Sequence, residues 1–349
     1  MAAASGRSSP AHWANCGFRY RASRGTARRA AKIARVPRPP GSWSDQELSR
    51  DAAEARKRFV KERRSALKDE QKAYVGWLDA YASTVRGLLQ ASNDLRDLTG
   101  EVLERRDFLD LARYLAVPPI SIDDLDTLTD SCFGLWVDQT TDRGARPSKG
   151  EFAAAAHIIA ARLDQRRARW LAGNRTPKKT ERETYATGAA SIPAMNRLAT
   201  TRRSERSRTQ EDLTRVAISS AGYEEVKPPG TLHNPVKDMK PGTYSGKSRR
   251  LSGTNMDVPV RLKADHSTGQ LFLAIECKVS NSSLNSRKRL LEVNSKRETW
   301  DSSGLPHRFR TAAVLAGVFD VARLIEAQNA GVLIFWEHRL DDLTTFLTG

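Results

Sequence analysis

Residues 271–279 read LFLAIECKV, and the chain continues through SNSS to residue 283. An apolar run of this length, rich in branched and aromatic residues, predicts a strand. Side chains alternate across a strand, so Leu271, Leu273, Ile275, Cys277 and Val279 share one face, and Phe272, Ala274, Glu276, Lys278 and Ser280 share the other. The first face is wholly apolar. The second starts apolar and ends with a carboxylate and an ammonium side by side, about 6–7 Å apart along the strand.

A second strand is expected in MDVPVRL, residues 256–262, with Met256, Val258, Val260 and Leu262 on one side and Asp257, Pro259 and Arg261 on the other. The intervening KADHSTGQ carries a turn signal at Ser267–Gly269. Antiparallel pairing through that turn brings Asp257 towards Glu276 and Lys278. Two carboxylates and an amine at one point suit metal-assisted hydrolysis of a phosphodiester. Asp257 and Glu276 are candidate ligands for a hard cation such as Mg²⁺, with the Cys277 carbonyl completing the shell. Lys278 is placed to orient the attacking water or to offset charge developing on phosphorus. A short acid-x-Lys pattern also arises as a plain cross-strand ion pair. The apolar opposite face, the second acid on a neighbouring strand and the basic flanks (Lys247, Arg249, Arg250, Arg287, Lys288, Arg289) favour the site.

Outward from this hairpin, residues 207–226 predict a helix ending at Gly222 in a left-handed C-cap. Residues 227–250 read as a loop rich in Pro, Gly and basic residues. Helices are expected at 284–299 and, from its apolar Ala-rich run, at 310–330, followed by a third buried strand in GVLIFWEH, residues 331–338. The layout is α/β with a mixed sheet. The N-terminal half is helical by pattern. Ser44 and Glu47 form a capping box that opens a helical region reaching about Val117, a capped short helix follows the turn at 117–121, and residues 149–171 predict an amphipathic helix broken by NRTPKKTERE at 174–183. This divides the chain into a basic arm and linker (1–45), a helical region (46–199) and an α/β core (200–349).

Of 349 residues, 58 are Lys or Arg and 41 Asp or Glu, a net charge of +17, which points to a polyanionic partner. Residues 1–40 hold nine Lys/Arg and no acid, so they supply +9 of it. Three scattered cysteines form neither a disulfide framework nor a metal pattern, so a reducing, cytoplasmic setting is expected. No apolar run approaches the roughly 18–20 residues of a membrane span, and the Arg-containing N-terminus lacks the apolar segment of a secretory signal.

After the strand, Asn281, Ser282, Asn285 and Ser286 cluster at a strand-to-helix junction, with Lys288 and Arg289 following. Helix capping accounts for one or two of them; the group as a whole is read, with Arg249 and Arg250, as a surface for DNA phosphates and base edges.

Asp257 with the Glu276-x-Lys278 pair, after an amphipathic helix, resembles the PD-(D/E)xK nuclease fold, although Met256 stands where the motif name has Pro. The block ECKVSNSSLNSRKRLLEV, residues 276–293, is similar to the corresponding block of the XamI-type restriction endonucleases, and PPISIDDLDTL at 118–128 and RARWL at 167–171 also look like that family. The resemblance spans about residues 100–349. It implies a Mg²⁺-dependent type II restriction endonuclease that cuts double-stranded DNA at a short palindrome as a homodimer, alongside a cognate DNA methyltransferase. It also implies an acidic residue on the helix before the first strand, for which Glu211 is the candidate, with Glu205 and Asp212 as rivals. A repair or junction-resolving nuclease on the same core, and a non-catalytic DNA-binding protein, are the alternatives.

Overall fold

The computed structural model describes residues 41–138, 146–303 and 309–349. The basic arm, residues 1–40, lies outside them. Ser44 caps α1 (Asp45–Ala91), and the reciprocal Ser44–Glu47 capping box is formed. The capping residue sits beside an anchored one. Trp43 is buried, its Nε1 donates to the Ile334 carbonyl (2.6 Å), and its backbone N–H donates to Gln328 Oε1 (2.8 Å).

Short helices follow: α2 (Gly100–Leu103), α3 (Arg106–Ala112), α4 (Ile122–Thr129, capped by Ser121), α5 (Phe133–Asp138), α6 (Lys149–Ala160) and α7 (Arg169–Ala172). The helix expected over 149–171 is therefore interrupted. Residues 161–168 turn, Ala116 and Leu163 form an isolated bridge, and the Val117 N–H donates to the Arg162 carbonyl. These tertiary bonds outweigh the helical propensity of AARLDQ. α8 (Lys179–Ser220) begins within the predicted breaker and crosses residue 200 without interruption. It ends as expected before Gly222, which sits at φ +81°.

Two sheets make the α/β part. The large one has the order β1 (Glu224–Val226), β3 (Thr243–Ser245), β6 (Val258–Arg261), β7 (Phe272–Ser280), β8 (Phe309–Gly317), β9 (Leu333–Trp336). It is mixed: β6 is antiparallel to β3 and β7, whereas β7, β8 and β9 are mutually parallel. The small sheet is β2 (Thr231–Leu232), β4 (Arg249–Leu251) and β5 (Thr254–Met256). Helices α9 (Pro235–Asp238), α10 (Ser283–Ser302), α11 (Val321–Asn329) and α12 (Asp341–Thr348) complete the unit.

The helix expected over 310–330 is a strand followed by a helix. Residues 309–317 form β8, in the sheet interior and buried along most of its length. A strand covered on both faces has no alternating pattern, so a continuous apolar run reads equally as a buried helix. The segment 227–250 was expected to be loop throughout, but β2, β3 and β4 of two or three residues lie in it, too short to show periodicity.

Helices cover both faces of the large sheet. One core joins Leu273, Ile275 and Cys277 of β7 to Ile218 of α8 and Phe346 of α12, and a second joins Ala313 and Leu315 of β8 to α10, α11 and the start of α1. A third packs Phe272 and Ala274 against Trp300 and Phe309, so the second face of β7 is also apolar until Glu276. Fully burying one such Leu or Phe side chain contributes about 1.5–3 kcal/mol.

Candidate active site

Asp257 falls between β5 and β6, at the bend where the chain passes from the small sheet to the large one. The bend changes the expected alternation. Val258 and Val260 pack with Ile275 as predicted, but Met256 turns to the opposite core, beside Trp300 and Ala274. A β-strand reverses its side chains at a sheet change, so one continuous strand over 256–262 does not form. The register nevertheless pairs Val258 with Ile275, which puts Asp257 at the level of Glu276.

The Asp257 Oδ2 accepts the Cys277 N–H (2.8 Å) and the Lys278 ammonium (3.0 Å). Lys278 Nζ also lies 2.7 Å from Glu276 Oε2. Glu276 has 0% exposure, and its Oε1 has no hydrogen-bond partner among the described residues. Burial pushes the Glu276 carboxyl above its usual range, opposed by Lys278 and Lys296. Burial alone would lower the Lys278 pKa, yet attraction to Glu276 and Asp257 and hydrogen bonds to both carry it above the ordinary lysine value, so the ammonium stays charged. This is a buried charge cluster with one carboxylate oxygen left open.

The residue types suit a hard cation. Glu276 Oε1 is a desolvated, unshared acceptor, and Asp257 is partly open to solvent. In a strand a residue's N–H and C=O point to the same edge. The Cys277 N–H reaches Asp257, so its carbonyl faces that side too. Among the described residues no group of three or more His, Cys, Asp or Glu side chains is arranged to hold a metal ion; the side-chain donors here are two carboxylates.

The Cys277 side chain lies on the opposite, apolar face, 5% exposed, with its sulfur 3.6 Å from Thr214 Oγ1. Burial, reinforced by Asp257, pushes its thiol well above the usual range. Cys277→Ser is expected to cost about 1–3 kcal/mol by placing a stronger polar group in this core, while leaving cleavage within several-fold. Thermal melts and single-turnover rates check this; site-resolved mass spectrometry is expected to find Cys277 unlabelled in native protein, and rapid labelling would contradict its burial.

Sequence reasoning missed Lys296. It reaches down from α10, with Nζ 2.6 Å from Glu276 Oε2 and 2.5 Å from the Asn255 carbonyl. Its signal was its place on α10, where Asn285, Lys288, Glu292 and Lys296 recur at helical spacing and line an open groove of about 740 Å³. Gln210 was also missed. It is fully buried, and its Nε2 donates to the carbonyls of Val314 (3.1 Å) and Lys278 (3.4 Å), fixing α8 on the strands that carry the site.

The neighbouring Glu211 is half-buried and bonded to Arg215 (2.8 Å) and Ser207 (3.4 Å), and its charge reaches the Cys277 thiol. Glu205 is exposed, and Asp212 is exposed and paired with Arg215.

At the start of α10, Ser282 is the N-cap and accepts the Asn285 N–H (3.2 Å), while the Asn285 side chain donates to Asn281 Oδ1. Lys288 is exposed, and Arg289 pairs with Glu292 (3.1 Å). Ser286 faces inward at 0% exposure; its hydroxyl donates to the Ser283 carbonyl and accepts the Asp320 N–H, tying α10 to the start of α11. On β4, Arg250 is exposed and opposite Asn255, whose carbonyl binds Lys296, whereas Arg249 is partly buried opposite Met256. Gly317 closes the same end of the sheet. A Cβ there would lie 2.0 Å from the Ser280 carbonyl oxygen, so only glycine admits the approach of β8 to β7.

The family described as XamI restriction endonuclease matches residues 93–336, a span holding Asp257, Glu276, Lys278 and Lys296. The chain belongs to the XamI restriction endonuclease family. It is 31% identical over 260 residues to the type II restriction enzyme XamI of Xanthomonas campestris pv. amaranthicola, covering 72% of this chain and 87% of that enzyme. To the type II restriction enzyme SalI of Streptomyces albus G it is 25% identical over 295 residues, 78% of this chain and 89% of the relative. The family match begins inside the helical region, at residue 93, after the whole of α1. Among the described residues no helix is long and apolar enough to cross a membrane.

Proposed function

We propose that this chain is a type II restriction endonuclease that hydrolyses double-stranded DNA at a short palindromic site. The observation that carries the reading is the meeting of Asp257, Glu276 and Lys278 across the β6–β7 hairpin, with one buried carboxylate oxygen unshared, in a chain of this family. In this reading the large sheet is a PD-(D/E)xK core, and Asp257, Glu276 and the Cys277 carbonyl would hold Mg²⁺. The ion, when bound, supplies a water of lowered pKa and neutralises charge on the scissile phosphate.

Lys278 donates to the oxygen of the attacking water and offsets the negative charge on the phosphoryl oxygens as the new P–O bond forms and the bond to the leaving oxygen breaks; the water's proton passes to solvent, and the leaving oxygen takes one from solvent. Asp257 and Glu276 keep Lys278 aimed, since its ammonium is bonded to both. Glu211 supports the site from α8. The groove on α10 and the small sheet meet the DNA: Lys288, Arg289, Arg249 and Arg250 contact phosphates, and Asn281, Ser282 and Asn285 lie where base edges or phosphates pass. Ser286, being internal, holds α10 in place.

A palindromic site calls for two catalytic centres related by a two-fold axis, hence a homodimer. The helical region 46–199 supplies DNA embrace or dimerisation, and 200–349 the nuclease core. A cognate DNA methyltransferase protects the host site in the cytoplasm without forming a stable complex.

The test is digestion of a plasmid of known sequence. With Mg²⁺ the expected product is a set of discrete fragments whose ends map to one short sequence, with no product in EDTA. Preference for branched over linear DNA would replace this reading by a junction-resolving one, and binding without cutting by a non-catalytic one.

A further inference from the structure

We infer that α1 and α8 form a two-helix neck whose solvent face is a phosphate-binding rail for double-stranded DNA outside the cut site. The inference rests on the reading of the chain as a DNA-binding enzyme and adds the surface that holds the flanking duplex.

Two separate cores define the neck. The C-terminal end of α1 (Val85, Leu88, Leu89) and the N-terminal end of α8 (Tyr185, Ala186, Ala189) belong to the core of the short helices. The other ends, Leu48 to Ala55 of α1 and Ile218 of α8, pack on the sheet. The helices therefore run antiparallel between two lobes. Between Ala55 and Ala82 no residue of α1 is buried, and between Ala194 and Gln210 none of α8. Pairs across the neck hold it together: Arg206 to Glu62 (3.0 Å), Arg202 to Glu70 (3.8 Å), and Arg197 over the Trp77 ring (5.1 Å).

The charge is concentrated there. Residues 56–72 hold eight Lys/Arg against three acids, and residues 197–208 hold five against one. These segments carry +9. Residues 41–349 carry only +8, so everything else in that span sums to −1.

The cations are also ordered. Lys57, Lys61, Arg64, Lys68 and Lys72 are all exposed and recur at i, i+4, i+7, i+11 and i+15. At 100° per residue they fall within an arc of about 80°, in a line about 22 Å long. Glu62 and Glu70, which bind α8, lie on the opposite side of the helix, so the line faces away from α8. Within the segment 56–72 no acidic residue shares that arc, and no carboxylate among the described residues lies within ion-pair distance of these five side chains; Glu54 and Asp79 close the line at its two ends, and Glu54 is bonded to Arg58 (2.8 Å). A solvated helix face usually mixes signs at i, i+4; a single-sign line this long repels itself and gains from a polyanion. Double-stranded DNA presents one charge per about 1.7 Å of axis, so about 22 Å of duplex offers more than enough phosphates for five cations.

The rail starts near the catalytic edge. Arg206 binds Glu337 (2.8 Å), the residue after Trp336, and Trp336 is in register with Leu315 and, across β8, with Lys278. Arg339 binds Asp51 of α1 at the same end. The root of the neck is thus two strands from Lys278, about 10 Å at the usual strand spacing.

The experiment measures binding of the full chain to a 30-base-pair duplex of arbitrary sequence, in EDTA, by fluorescence anisotropy across a salt series. The variant changes Lys57, Lys61, Arg64, Lys68 and Lys72 to Gln; a pair variant, Lys61→Gln with Lys68→Gln, repeats the test with less perturbation, and melts confirm folding. A control changes five exposed cations elsewhere, Lys149, Arg162, Arg166, Arg169 and Lys179, to Gln. With a slope of about 0.9 per phosphate contact, the five-fold variant is expected to lose about 4.5 from the log–log salt slope and about 10²-fold or more in affinity, and the pair variant just under 2 in slope. Unchanged binding by the folded variants, or equal loss by the control, overturns the rail. Cleavage is not used, so a chain that binds through the rail but cuts nothing would fail the nuclease reading alone, and one that cuts but binds without the rail would fail only this inference.

Discussion

Lys278→Arg is expected to lower single-turnover cleavage by about 10²-fold or more at saturating Mg²⁺, with Lys278→Ala no better. The ammonium fits between Asp257 Oδ2 (3.0 Å) and Glu276 Oε2 (2.7 Å), is only 11% exposed, and has a wholly buried partner in Glu276. A guanidinium is larger, planar and offers its donors as a fork, so it keeps the charge but cannot occupy the same point. Removing a donor aimed at developing charge costs about 10²–10³-fold. Were the lysine only half of an ion pair, Arg would serve nearly as well. Arg activity within a few-fold of wild type, in a protein with an unchanged melt, would therefore remove Lys278 from the chemistry.

The larger effect belongs to Glu276. Glu276→Gln keeps the shape and is expected to reduce cleavage by at least about 10³-fold, because the unshared Oε1 loses the charge that a divalent cation needs. DNA binding in EDTA is expected to remain within a few-fold, since Lys/Arg contacts to phosphate dominate affinity. Stability changes as well. Lys278 and Lys296 both lie against Glu276 Oε2, and neutralising it leaves two partly buried ammoniums with Asp257 as the one remaining carboxylate at the site. Breaking a buried pair by removing one partner costs about 3–5 kcal/mol. Lys296→Met in the Gln variant is expected to recover part of that loss, measured as a rise in Tm. Near wild-type cutting by folded Glu276→Gln would exclude this carboxylate from the site.

Among the described residues, the cluster on Glu276 draws on three separate segments: the β5–β6 bend, β7 and α10. The first two were legible in the sequence. Asp257 and Glu276-x-Lys278 sit on a hairpin whose partner is only a turn away, and a strand's two-residue period says which side chains share a face. The third was legible only in part: Lys296 follows Asn285, Lys288 and Glu292 at helical spacing, but its reach to Glu276 depends on the angle at which α10 packs on the sheet.

The sequence by itself determined the β6–β7 hairpin and the pairing level of its acids, the Ser44 capping box, the Gly222 stop, the buried strand at 333–336 and the inward face of Cys277. Each follows from a short-range rule: period two, cap chemistry or left-handed glycine. Tertiary structure alone decided that residues 309–317 are a strand rather than a helix, since a run buried on both faces has lost its period and only its neighbours β7 and β9 select the extended form. It also decided the bend at Asp257, where passage from one sheet to another sends Met256 to a different core from Val258. And it placed the line Lys57, Lys61, Arg64, Lys68 and Lys72 on an open face: the spacing is visible in the sequence, but only the packing of α8 against the opposite side of α1 leaves that face to solvent.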